Sequence, residues 1–250
     1  MDYLDVRNKF CELSGRYDLI TATQEDAGAD FFLNAGQKYL DRFFDSGKAL
    51  ARYPVIVSAG GYIAKSVGIR AIKEVWVANS DGKSQLAKCS LDEIKDYYNE
   101  EFSSTTQGTP AYYAPALFRP YPDTLADVTG MYNVSDLLTY SATAPAQHFN
   151  YNGIVLMPPA DGTYTIEIVG LFYSPTLSAT LSGSTWTQTK SFWSEVHPEI
   201  LIAAAMYKLQ SLYNNTGAAM DLKASVLEDV MGLDHDAAEE DIAGNMQMGG

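Results

Sequence analysis

A chain of 250 residues, 46% hydrophobic and 19% charged, has enough apolar material for one large domain or two modest ones, and is too apolar to be disordered throughout. Its net charge of −14 excludes nonspecific nucleic-acid binding through a basic footprint. Two cysteines, Cys11 and Cys89, exclude a disulfide framework and suit a reducing compartment; the opening MDYLDVRNKF has neither the basic start nor the apolar core of a secretory signal.

Residues 2–14 read as an amphipathic helix with Tyr3, Val6, Phe10 and Leu13 on one face and Gly15 as its C-terminal cap. Thr23 followed by Asp26 resembles a capping box, and Phe32, Ala35, Tyr39, Leu40 and Phe43 continue at helical spacing to about Asp45. Gly36 lies inside that helix, where it costs stability, so it predicts a close crossing with another helix.

After Ser46-Gly47 the period becomes that of strands. Arg52–Val57 and Tyr62–Val67 are separated by Gly60-Gly61. Arg70–Asn79 alternates, with Ile72, Glu74 and Trp76 on one side and Lys73, Val75 and Val77 on the other. Asp81-Gly82 is a hairpin signal, with Ser84–Lys88 returning beside that strand. Ser90 and Glu93 form a capping box that starts a short helix through Tyr98. Residues 103–150 are rich in Pro, Ser, Thr and Tyr and read as loop, apart from a strand near Ala111–Phe118. Asn152–Met157 and Thr163–Tyr173 are the clearest pair of strands, joined by the turn Pro158–Gly162, and Ser174–Lys190 is a polar connection holding Trp186.

The chain is organised around Ile200–Tyr213, ILIAAAMYKLQSLY, in which eight consecutive residues are apolar. Pro198 suits the first helical position, Glu199 complements the helix dipole, and Ala203-Ala204-Ala205 leaves a thin side for another helix. A helix apolar nearly all round is buried on most faces, and this one is shorter than the about twenty apolar residues that cross a membrane. Asn214–Gly217 turns the chain into a last helix with Leu222, Val226 and Val230 on one face, ending at Gly232. The predicted class is α+β. Residues 1–48 and 191–233 would form a four-helix bundle with Phe10, Phe32, Tyr39, Phe43, Ile200, Ala204 and Leu227 in its core. A mainly antiparallel β-rich region, 49–190, would be inserted with a short helix near 90–100, and 234–250 would be an acidic flexible tail.

None of the candidate constellations supports an enzyme, a cofactor or a metal. His197 has only the sequence neighbours Ser194 and Glu195, and reads as a helix-entry residue that caps or packs. Asp234-His235-Asp236 with Glu239 and Glu240 lacks metal-ligand spacing, so a metal-dependent hydrolase is the weakest reading. Cys11 reads as a small core residue; Cys89 ends a strand beside Lys88, a neighbour that can activate a thiol slightly, but has no histidine near it in sequence. Gly60-Gly61 is not followed by the Lys-Ser/Thr of a phosphate loop. Tyr97-Tyr98 and Tyr112-Tyr113 suit sheet surface or protein contact more than stacking on a sugar or base.

Four stretches, in order, resemble the head–tail adaptor (tail tubular or head-completion) proteins of short-tailed bacteriophages. Asp30-Phe31-Phe32-Leu33-Asn34-Ala35-Gly36-Gln37-Lys38-Tyr39-Leu40-Asp41 is similar to their second helix, where leucine-asparagine-alanine precedes an apolar repeat. Ile72-Lys73-Glu74-Val75-Trp76-Val77 resembles one of their strands, Pro158–Tyr173 their paired late strands, and His197-Pro198-Glu199-Ile200-Leu201 the entry into a long alanine-rich helix. Residues 103–150 depart from the family by being longer.

The resemblance implies a virion structural protein, made in the host cytoplasm, that forms a homo-oligomeric ring, a dodecamer. The ring would sit between the portal protein and the tail tube or nozzle protein, with DNA passing through without sequence-specific binding. An acidic balance fits, because a channel that repels phosphate does not grip its cargo. Lateral contacts are expected at Thr105, Tyr112 and Tyr113, and a tail arm is expected to bind its partner, most naturally the portal, through Leu233, Ile242, Met246 and Met248. The competing class is a soluble carbohydrate- or peptide-binding module using the Tyr-rich β region.

Overall fold

The computed structural model describes residues 1–44, 50–79, 82–98, 106–116 and 151–246. It is a mixed α+β structure with six helices among those residues, and it divides into two compact units, Met1–Ala49 with Tyr173–Gly250 and Leu50–Phe172. The first unit therefore takes in Tyr173–Lys190, a stretch the sequence pattern groups with the strands.

In the first unit, α1 (Tyr3–Ser14) starts where the Asp2 carboxylate accepts the Asp5 N–H, and ends at Gly15 in the left-handed conformation. Tyr3, Val6, Phe10 and Cys11 are buried, whereas Leu13 is exposed, so the buried face turns toward Cys11. Helix α2 spans Ala29–Phe43. Its entry is fixed by Asp26, whose Oδ1 accepts the N–H groups of Gly28 and Asp30 at 2.9 Å each. Thr23 does not cap this helix; its hydroxyl donates to Glu25 instead. A short α4 (Phe192–Glu195), opened by a Ser191/Ser194 capping box, leads into α5 (Pro198–Leu212) with Pro198 in its first turn. Helix α6 runs from Thr216 to Met246.

Helix α5 packs against α2, α6, α1 and α4, the central position its sequence predicts. The crossing with α2 is tight at Gly36: a Cβ there would lie 2.7 Å from the Ala205 nitrogen and 3.0 Å from the Ala204 carbonyl carbon. Phe10, Phe32, Tyr39, Ile200 and Ala204 are buried in the shared core and Leu227 packs against it. Phe43 is 45% exposed although it shares the face of Tyr39 and Leu40, because it is the last residue of α2.

A polar row on α2, spaced to share one side of the helix, holds the chain where it enters Tyr173–Ala179. Asp30 pairs with the fully buried Arg7 at 3.1 Å and accepts from the Tyr3 hydroxyl at 2.7 Å. Asn34 exchanges two hydrogen bonds with the Leu177 backbone, at 2.8 and 2.9 Å, and Gln37 donates to the Pro175 carbonyl at 2.8 Å. Asp41 accepts from the Ser174 N–H and hydroxyl and from the buried Trp193 indole, at 2.8, 2.9 and 2.8 Å. Arg7 also donates to the Ala179 and Gln24 carbonyls.

The second unit contains β1 (Leu50–Val57), β2 (Ile63–Val67), β3 (Ile69–Asn79), β4 (Gly82–Gln85), β5 (Ala87–Lys88), α3 (Leu91–Tyr98), β6 (Tyr112–Ala116), β7 (Tyr151–Met157) and β8 (Tyr164–Phe172). One four-stranded sheet has the order β1-β8-β3-β4 and is antiparallel; the other has the order β2-β7-β6-β5, parallel only at β5–β6. Val75, Val77, Ile166 and Ile168 from the first share a core with Tyr113, Ile154 and Leu156 from the second. On the opposite side of β7, Val155 packs with Ala114 and with Ile94 of α3, which is started by reciprocal Ser90–Glu93 hydrogen bonds.

The sequence pairs β7 with β8, but they lie in different sheets, as do β1 and β2. Both chains cross at one corner, where the Gly60 N–H donates to the Ala160 carbonyl and the Ala160 N–H to that of Gly61. The expected alternation of β3 also breaks at Lys73: Ile72 opposes Gly170 and Glu74 opposes Val169. This bulge puts Ile72 on the core side with Val75 and Val77, away from Glu74 and Trp76. A separate hairpin, β9 (Ala179–Ser182) and β10 (Thr185–Gln188), belongs to the first unit, with Trp186 against its core.

Candidate interaction surface

Helix α2 presents two kinds of surface. Its buried side carries the polar row just described. Farther round, Tyr39 lies between Phe43 of its own helix and Tyr207 of α5: the ring centroids of Tyr39 and Phe43 are 4.8 Å apart, and those of Tyr39 and Tyr207 are 5.0 Å apart. The Lys208 ammonium sits 4.4 Å from the centre of the Tyr39 ring and 4.8 Å from that of Tyr207. Burial, then the nearby cations Arg42 and Lys223, holds the Lys208 pKa below the ordinary lysine value. Burial raises that of Tyr39, whose hydroxyl has no hydrogen-bond partner among the described residues. The arrangement holds one ammonium over two aromatic rings at an edge of α2 where Phe43 is exposed.

The last helix corrects the expected tail. Gly232 does not end α6, whose backbone continues through the acidic stretch to Met246. A glycine inside a helix costs about 1 kcal/mol and stops it only when a left-handed cap follows. Leu233 is half-buried and packs against the helical core of its own chain. Ile242 and Met246 lie on the helical backbone, and Met248 lies outside the described residues. Earlier on α6, Met220 and Met231 are each 70% exposed.

The expected lateral residues separate as well. Thr105 is outside the described residues. Tyr113 is only 3% exposed and sits in the sheet core, because neighbouring residues of β6 face opposite ways; Tyr112 is 45% exposed. They therefore do not form a joint stacking platform or a joint contact.

His197 does not cap α5 with its side chain; its ring packs edge-on against Phe192, at 5.3 Å between centroids. Burial pushes the Cys11 thiol up to about 11. Burial, then the Glu93 carboxylate, raises that of Cys89, which is therefore not activated. Among the described residues, no group of three or more His, Cys, Asp or Glu is placed to hold a metal, and no helix is long and apolar enough to cross a membrane.

The polar row on α2 is a functional-looking motif that sequence reasoning missed. Asp30, Asn34, Gln37 and Asp41 have the spacing of a solvated helix face; their signal is that the row lies beside the buried Phe32, Leu33 and Leu40, while Lys38 and Arg42 already supply an exposed polar face. No family model matches the chain, and no curated protein matches it.

Proposed function

We propose that this chain is a virion structural protein, a head–tail adaptor whose copies close into a ring, a dodecamer, between a portal and a tail tube. DNA passes through the ring. In this reading α1, α2, α5 and α6 form a four-helix bundle as the ring's framework, the β unit and residues 103–150 supply further contacts, and no residue is catalytic. The reading rests on the four resembling stretches. The observation that supports it best is that two of them, Asp30–Asp41 and His197–Leu201, lie on α2 and α5, which cross at Gly36 on Ala204-Ala205. The net charge of −14 suits a passage through which phosphate must slide. Mass measurement with and without a portal ring tests it: assembly on the portal supports the adaptor, and a chain that stays monomeric in both overturns it.

A further inference from the structure

Helix α6 carries two apolar stripes. Ala219, Val226 and Val230 are buried, and Leu233 packs against the same helical core. One such stripe is all that a helix needs when its other side faces water. A second lies about a third of a turn farther round, where Met220, Ala224, Leu227 and Met231 follow one another at steps of four, three and four residues. Met220 and Met231 are each 70% exposed, Ala224 is exposed, and Leu227 is half-buried. Steps of four, three and four are the a/d spacing with which one helix lies along another, and methionine is enriched at contacts between proteins.

The charges beside the second stripe say which helix fits it. Lys223 lies on one flank and Glu228 on the other; both are exposed, and neither has an ion pair among the described residues. With the stripe between them they do not meet within their own helix, where pairs form at three or four residues. Five residues is instead the offset at which a g position meets the e position of a parallel neighbour in register. Two parallel copies of α6 therefore bring each Lys223 to the Glu228 of the other, while Met220, Ala224, Leu227 and Met231 each face their own counterparts. Antiparallel pairing would lay the flank of Asp221 and Glu228 against the same flank of the other copy, acid against acid.

We infer that α6 pairs, parallel and in register, with α6 of a second copy of this chain along the Met220–Met231 stripe. Apolar side chains meet across the two-fold axis, and two Lys223–Glu228 pairs, one on each side, fix direction and register. Four apolar side chains from each copy make a small interface, so the dimer dissociates on dilution. A two-fold contact is saturated by a single partner. It holds the free chain as a dimer, and it neither builds nor needs the ring of the adaptor reading.

The test is cross-linking of the full chain carrying Cys89→Ser, which leaves only the fully buried Cys11. Met231→Cys and, separately, Ala224→Cys are added and oxidised with copper phenanthroline. Each should form a disulfide with its own counterpart, whereas Asp229→Cys, exposed but off the stripe, should not. Adding Lys223→Glu to the Met231→Cys protein opposes carboxylates across the contact and should lower the yield at least about fivefold, with melting unchanged. Adding Glu228→Lys as well should restore the yield. Sedimentation of the wild-type chain should show a dimer that dissociates on dilution. Self-linkage at neither Met231→Cys nor Ala224→Cys would overturn the proposal, as would linkage only between mixed Met220→Cys and Met231→Cys proteins, the mark of antiparallel pairing. Equal linkage through Asp229→Cys, or a yield untouched by Lys223→Glu, would overturn it too.

Discussion

The two units bury comparable kinds of apolar side chain and fix their geometry by different means. In the β unit, direction comes from the ladders, and β7 is buried on both sides by Ile154 and Leu156 toward one core and Val155 toward the other. In the helical unit, apolar faces leave sliding freedom, and side-chain hydrogen bonds over long sequence separations remove it. Asn34 reaches Leu177 across 143 residues, and Asp41 reaches Trp193 across 152. A buried polar group that is fully partnered specifies one arrangement, and losing one partner strands the others. Single polar changes should therefore hurt the helical unit as much as core truncations hurt the sheets.

The largest effect is expected at the α2–α5 crossing. Ala204→Glu buries an unpaired charge, and Gly36→Val drives side-chain atoms into the Ala205 backbone; each should cost about 3 kcal/mol or more in denaturant unfolding of the helical unit. Near-wild-type melting of either variant would mean that the crossing is looser than 2.7 Å implies.

Next comes a direct comparison of the two units. Asp41→Ala strands the Ser174 N–H and the Trp193 indole, and Ile154→Ala empties a fully buried site in the sheet core. Both should cost about 3 kcal/mol. Following Trp193 emission should show the Asp41 change. A loss below about 1 kcal/mol for Asp41→Ala, beside the full loss for Ile154→Ala, would break the comparison, because that is the worth of one ordinary hydrogen bond. The smallest effect is expected at Phe43, where truncation to alanine should change stability by no more than about 0.5 kcal/mol, as at other exposed positions. A loss of 2 kcal/mol or more, on the scale of a buried aromatic, would place that ring in the core.

Much of this architecture is legible in the sequence where one physical signal dominates. The apolar run of α5, the Gly36 crossing and the Ser90–Glu93 capping box are local, and each appears where its residues predict it. The errors arise where a distant partner decides. Asp30, Asn34, Gln37 and Asp41 look solvated until Arg7 and residues 174–177 supply their partners. The alternation of β3 hides a bulge at Lys73, because one inserted residue leaves the composition of a strand unchanged. Asn152–Met157 and Thr163–Tyr173 look like a hairpin, but both β7 faces are apolar, and β7 needs a cover on each. On α6 the acidity is legible and the continuation past Gly232 is not, since that glycine suggests a stop. The contact of Lys208 with Tyr39 joins two helices and has no linear signal.

The claim that matters most is that copies of this chain close into a ring on a portal. Imaging the purified full chain mixed with portal rings tests it directly. The account predicts annular particles in which the added density repeats with the portal's symmetry, twelve copies by the family resemblance. Portal rings without added density, beside single copies of the chain at concentrations well above those in the mixture, would contradict it.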